Sequence, residues 1–263
     1  MLKKIIAFLA FYGLLGTWQI IRLKLPYLNR LKNYKQYTSL LTNKDGLEIG
    51  GPTPNFRKTG PLPIYEVIAS LEGVNFSQTT VWEGKLTEGK NYHFEAGRDD
   101  GQQYIREATE LQGIPDSKYD FVACSHCLEH VADPIRALLE WRRVVKPSGY
   151  ILLVLPLREK TFDHRRPLTT LAHLISDHEH AVGEDDLSHL KEVLALHDLE
   201  LDYRAEDKEV FRKRCLDNRE NRCLHHHVFN ETNIKELIQH IGLRLTRIDQ
   251  LPPRDLIVLA RKV

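Results

Sequence analysis

Two short apolar runs, Tyr119-Asp-Phe-Val-Ala-Cys124 and Tyr150 to Leu155, flank one amphipathic stretch, and this spacing restricts the possible folds more than any other feature. Each run is too short for a stable helix, and both are rich in residues that suit a buried strand. Between them Ile135, Leu138, Leu139 and Val145 recur at helical spacing, with Trp141 on the flank and Arg142 on the polar side, and Pro147-Ser-Gly149 ends the helix. Strand, helix and strand in this order make one unit of a parallel sheet.

The flanking chain repeats the alternation. Gly46-Leu-Glu-Ile-Gly-Gly51 is a short apolar strand ending in glycines, the entry of a nucleotide-binding βαβ unit. Pro61 to Ser70 reads as the following helix, Gly73 to Ser77 as a second strand and Tyr92 to Glu95 as a third. Near the end, Asn230 to Ile241 is a helix stopped by Gly242. Leu243 to Ile248 and Leu256 to Ala260 are strands joined through Pro252 and Pro253, a link short enough for antiparallel pairing.

Charge excludes one class of partner. Lys plus Arg is 37 against 36 for Asp plus Glu, so no broad basic footprint for nucleic acid is present. Cys124, Cys127, Cys215 and Cys223 are too few for a disulfide scaffold in 263 residues, and the Cys124/Cys127 pair sits at a strand end, as free thiols rather than a zinc or redox motif.

Residues 1–30 form a separate hydrophobic and basic helix. Lys3 and Lys4 precede an apolar run from Ile5 to Ile21, and Arg22, Lys24, Arg30 and Lys32 follow. The run is marginal against the roughly 20 residues needed to cross a bilayer. Three placements are open: a short anchor, an interfacial helix with Tyr12 and Trp18 at headgroup level, or a helix packed on the body. The first two make residues 1–24 a membrane contact, and the basic residues after the run place the main domain on the cytoplasmic side, at the inner face of the membrane.

The run YDFVACSHCLEHVADPIRALLEWRRVVKPSGYILLVLP, Tyr119 to Pro156, resembles the fourth strand, fourth helix and fifth strand of class I S-adenosylmethionine (SAM)-dependent methyltransferases, in the small-molecule branch. An aromatic-Asp start, a Ser-x-x-Leu-x-His loop, a D-P-x-x-A-L helix and an R-V-x-K-P-x-G turn occur in order. Leu47-Glu-Ile-Gly-Gly51 resembles the family's first glycine motif. Glu107-Ala-Thr-Glu-Leu111 resembles the element that cups the adenine, and the helix and hairpin from Asn230 resemble its last two strands. The resemblance covers Asp45 to Val263 apart from an insert. It implies a Rossmann-like α/β fold, with a doubly wound, mostly parallel seven-stranded sheet filling residues 31–263 and a helical insert at about 157–228 after the fifth strand.

It also implies SAM as cofactor, held by Glu48, Gly50, Gly51, Asn75, Glu107, Ala108 and Ser125. Glycine permits positive φ and close approach of a ligand, and Glu48 would face the cofactor's amino group. Two departures stand out: Pro52-Thr-Pro54 replaces further glycines and removes donors, and the neutral Asn75 stands where an acid is expected.

Of 13 histidines, nine lie between His164 and His227, in the insert that in this fold covers the acceptor. Glu184 to His197 reads as a helix burying Leu187, Leu190, Val193 and Leu194. The insert lacks an H-E-x-x-H pattern, so its histidines are read as polar lining and no metal ligand is assigned. A hydroxyl acceptor needs a base, and His126, His130 and His164 are the candidates. Arg165, Arg166 and His226 are candidates for holding the acceptor.

The expected activity is methyl transfer to oxygen or nitrogen of a small-molecule or lipid-linked sugar acceptor. The rivals are a methyltransferase-fold binding module without catalysis, suggested by Pro52-Thr-Pro54, and a metal-dependent hydrolase built on the histidine-rich insert.

Overall fold

The structure is a computed structural model describing residues 2–23, 25, 28–202, 204–205 and 207–263. An eight-stranded sheet organises it. The strands are β1 (Asp45–Ile49), β2 (Ser70–Asn75), β3 (Gly89–Tyr92), β4 (Gly101–Ile105), β5 (Tyr119–Ser125), β6 (Val145–Pro156), β7 (Leu243–Leu251) and β8 (Asp255–Lys262). Their spatial order is β3-β4-β2-β1-β5-β6-β8-β7. Strands β4, β2, β1, β5 and β6 run parallel, while β3 and β8 are antiparallel to their neighbours. The class is the expected doubly wound α/β sheet, with one strand more than seven.

Helices follow where capping and periodicity agree. Helix α3 (Pro134–Val144) starts at Asp133, whose side chain accepts from the Arg136 N–H at 2.8 Å, and carries Pro134 in its first turn. The last helix, α8 (Glu231–His240), has a full capping box between Asn230 and Asn233. Before β1 lie α1 (Leu2–Leu23) and α2 (Tyr34–Leu41), and the insert holds α4 (Leu171–Glu179), α5 (Leu190–Leu196), α6 (Lys208–Leu216) and α7 (Asn218–Asn221).

Three expectations change. Pro61 to Ser70 makes only a short 3-10 turn at Ile64–Glu66, since Pro61 and Pro63 withhold helix donors. Tyr92 to Glu95 is not the third parallel strand: β3 ends at Tyr92, and the third parallel strand is β4, whose polar, half-buried Gly-Gln-Gln-Tyr-Ile run carries no apolar signal. The helix expected over Glu184 to His197 begins only at Leu190, and Leu187 is exposed.

Alternating side chains serve two cores, one on each face of the sheet. Val122, Cys124, Leu153 and Val258 pack with Trp141 of α3 and Leu237 of α8. Phe121, Ala123, Leu152 and Leu259 pack with Tyr37 of α2 and with Phe56 and Tyr65. The insert has its own small core around Val193, Phe211, Cys215 and Leu224.

Helix α1 breaks at Gly13, where φ is +66°. It attaches to the insert: Lys4 donates to the Asp202 and Ala205 carbonyls, Tyr12 to the Lys160 carbonyl at 2.5 Å, and Phe11 lies against His164. No described helix is long and apolar enough to cross a membrane. Leu14, Leu15 and Trp18 are nevertheless exposed. Lys24, and the side chains of Lys3 and Arg22, lie outside the described residues.

Trp141 is fully buried and donates its indole N–H to the Ala108 carbonyl at 2.8 Å, joining α3 to the loop after β4. Trp141→Ala is expected to destabilise the fold by about 3–5 kcal/mol in chemical denaturation.

Candidate active site

The carboxyl ends of the parallel strands carry the site. After β1 the chain turns at Gly50, whose φ of +75° suits glycine and whose N–H donates to the Val74 carbonyl at 2.8 Å. A Cβ on Gly51 would collide with the Glu48 carboxyl and the Tyr92 hydroxyl. Glu48 itself is fully buried. Its Oε2 accepts from Tyr65 at 2.6 Å and Tyr92 at 2.7 Å, and its Oε1 from the Thr53 N–H at 3.2 Å. Burial outweighs these bonds and raises the carboxyl to about 7. Glu48 therefore holds the loop from beneath.

The proline-containing segment forms a 3-10 turn, Pro54–Phe56, anchored by buried Phe56. It crosses toward β5, where Asn55 Nδ2 donates to the Ser125 hydroxyl at 3.0 Å and the Thr53 hydroxyl lies 3.4 Å from the same oxygen. Asn75 ends β2 and gives its amide N–H to the Gly51 carbonyl at 3.0 Å. Glu107 and Ala108 follow β4, with the Glu107 carboxylate 2.6 Å from the Arg222 guanidinium. The seven expected cofactor residues thus gather on one edge, from β1, β2, β4 and β5.

Beyond Ser125 the chain turns through His126, which has a φ of +53°. Its Nε2 lies 3.5 Å from Asp255 and its Nδ1 3.4 Å from Glu129. Burial lowers this imidazole, but Asp255 and Glu129 outweigh it and lift it to about 10, so it carries a proton at neutral pH. His130 differs: burial and the neighbouring His225 push it down to about 3. Its Nδ1 lies 3.1 Å from the Leu224 carbonyl. A carbonyl only accepts, so Nδ1 carries the hydrogen and Nε2 keeps a lone pair. Trp82 and His225 pack against the His130 ring, with centroids at 5.6 and 4.5 Å.

The remaining candidates lie within the insert. His164 Nε2 and an Arg165 nitrogen share Asp198 Oδ2, at 3.0 and 2.7 Å. Arg165 is half-exposed, whereas Arg166 is buried and bonded to Asp163, Glu192 and the carbonyls of His225 and His226. Arg166 ties the insert together and is not presented to an acceptor. His226 is buried, 3.0 Å from Asn218 Nδ2, and burial lowers it to about 4.

Sequence reasoning missed Glu129, Asp255, Trp82 and His225. Glu129 sits inside the quoted Leu-Glu-His motif, a usable signal. Asp255, Trp82 and His225 are brought in only by tertiary structure.

A family model described as a methyltransferase domain matches residues 30–248. A ubiquinone/menaquinone biosynthesis C-methyltransferase of Vibrio vulnificus (strain YJ016) is 32% identical over 93 residues, 35% of this chain and 33% of that protein. Its counterpart in Hahella chejuensis is 30% identical over 69 residues, 26% of this chain and 28% of that protein. The chain therefore spans a third or less of these curated relatives. An S-adenosylmethionine-dependent methyltransferase structure from Mesorhizobium loti aligns with a TM-score of 0.50 at 13% identity, over 87% of this chain and 95% of that one, a likeness of fold alone.

The Glu48 carboxyl, raised from 4.5 to about 7, stabilises the fold fully below its unfolded value and loses that contribution as pH rises through 7. Denaturation between pH 4.5 and 8 is expected to show roughly 3 kcal/mol lost from this group. Glu48→Gln, which keeps an oxygen for the tyrosines, removes that slope.

Proposed function

This chain belongs to the methyltransferase-domain family, as a class I SAM-dependent methyltransferase, and from that premise we propose that it methylates an oxygen or nitrogen of a small-molecule or glycan-type acceptor placed against His130. The observation that carries this reading is the neutral His130, with its Nε2 lone pair, beside the protonated His126 at the end of β5.

The residues present fit the cofactor. The Asn75 amide oxygen and the Glu107 carboxylate suit ribose hydroxyls, Ala108 offers a small wall for the base, and the Ser125 hydroxyl, which accepts from Asn55 and Thr53, keeps its own hydrogen for the methionine end. SAM supplies an electrophilic methyl group on sulfur. His130 takes the proton released by the acceptor; burial and His225 make it a weak base, which the Glu129 carboxylate only partly offsets. His126, fixed as a cation with its two ring nitrogens toward Asp255 and Glu129, places a positive charge at the end of β5 and does not act as base. Positioning does most of the work. The curated relatives are named as C-methyltransferases, so a carbon acceptor is the second reading, and turnover of hydroxyl- or amine-bearing compounds against quinol-type carbon acceptors separates the two.

Half-exposed Arg165 suits an anionic group on the acceptor. The exposed Leu14, Leu15 and Trp18 lie on a helix fastened to the same insert, which supports an acceptor met at the cytoplasmic surface of a membrane, a lipid-linked sugar among the candidates.

Calorimetric titration of the full chain with SAM and S-adenosylhomocysteine is expected to give micromolar binding; no heat with either ligand overturns the reading. His130→Ala is expected to lower turnover of a methyl acceptor by about 100-fold or more while leaving SAM affinity unchanged. In flotation with anionic phospholipid vesicles the chain is expected to float, and the double variant Leu14→Glu/Leu15→Glu to remain at the bottom of the gradient.

A further inference from the structure

Three separate pieces of the insert bring ligand atoms to one point. Helix α4 is capped by Thr170, whose hydroxyl accepts from the His173 N–H, and the helical spacing puts His173 and Asp177 on one face. His189 is the residue before α5. His227 lies in the stretch leading to α8, where Asn233 holds the Val228 carbonyl at 2.8 Å and the Thr169 carbonyl at 2.9 Å. These bonds cross-link the start of α4 to the His227 stretch, and Arg166 joins Glu192 of α5 to the His225 and His226 carbonyls.

Each of the four side chains offers one ligand atom, and these atoms lie within 4.8 Å of one another. His173 Nε2 is 3.1 Å from His189 Nε2 and 3.1 Å from Asp177 Oδ2. Tetrahedral zinc with bonds near 2.0 Å has ligand–ligand edges of about 3.3 Å. Protein hydrogen bonding does not account for the cluster. Two imidazole nitrogens facing each other share at most one hydrogen. Asp177 Oδ2 and His227 Nδ1 are both buried with no hydrogen-bond partner among the described residues. His227 Nε2 donates to the Ala132 carbonyl at 2.9 Å, an outer contact that fixes the ring and leaves the lone pair, and so the ligand atom, on the unpartnered Nδ1.

We propose that His173, Asp177, His189 and His227 form a structural binding site for a divalent transition-metal ion, with zinc favoured by three imidazoles and one carboxylate. The ion clamps α4, the start of α5 and the 223–230 stretch. That stretch carries Leu224 and His225, the groups that orient and flank His130. The histidine-rich insert then has a mechanical role, holding the acceptor-side wall against the sheet, and zinc is not a reactant.

Elemental analysis of the purified full chain after dialysis against excess Zn2+ and then metal-free buffer is expected to find one zinc per chain. Co2+ added to the stripped protein is expected to give the visible ligand-field bands of a tetrahedral ion, lost in His189→Ala and in Asp177→Asn. His130→Ala, which disables the other histidine–carboxylate group (Glu129, His130 and His225), is expected to keep them. Wild-type protein, folded by circular dichroism, that shows neither stoichiometric zinc nor these bands overturns the proposal. So does equal metal uptake by the double variant His173→Ala/His189→Ala, which would assign the ion to other histidines.

Discussion

The Glu48 carboxylate is enclosed where β1 ends, and its three donors come from different parts of the chain: Thr53 from the loop above, Tyr65 from the turn after it, and Tyr92 from the edge strand. An ionised carboxylate in such a place costs heavily unless each oxygen is met. Meeting both oxygens forces the proline-containing loop to fold back over the strand ends, so that Asn55 and Thr53 reach Ser125 on β5. The spacing of the site from β1 to β5 is thus set from beneath, by one buried group and the glycine beside it.

The histidines that follow β5 show how environment sets different charge states for one residue type. His126 and His130 are four residues apart. The first faces two carboxylates and is held charged; the second faces another imidazole and a carbonyl and is held neutral. Burial alone would push both the same way. The neighbours from β8 and from the 223–230 stretch separate them. Further out, Arg166 satisfies Asp163, Glu192 and two backbone carbonyls at once, which lets a polar insert pack densely with only a small apolar core of its own.

Much of this was legible in the chain. β1, β5, β6, α3, α8 and the terminal hairpin follow from apolar periodicity and from stop signals that act locally, and the ends of those strands located Gly50, Gly51 and Ser125. β4 was not legible, because a half-buried strand near a sheet edge can be built from glutamine and tyrosine. The role of Glu48 was missed for another reason. Its position in the motif points to the ligand, but the tyrosines that enclose it lie far along the chain and nothing local announces them. Asp255 escaped notice in the same way, and the four insert residues whose ligand atoms converge form no continuous motif, which is why the sequence favoured polar lining over a metal site there.

Asp255 opens β8, the strand that inserts between β6 and β7 and pairs with β6 along most of its length. A chain emerging from the ribosome makes β1 through β6 and the whole insert before this residue exists. Until β8 docks, β6 presents an unpaired edge, and His126 lacks the first of the two carboxylates that keep it charged. Covering of the β6 edge and the placing of Asp255 beside His126 are therefore one event, which follows the synthesis of β1 through β6.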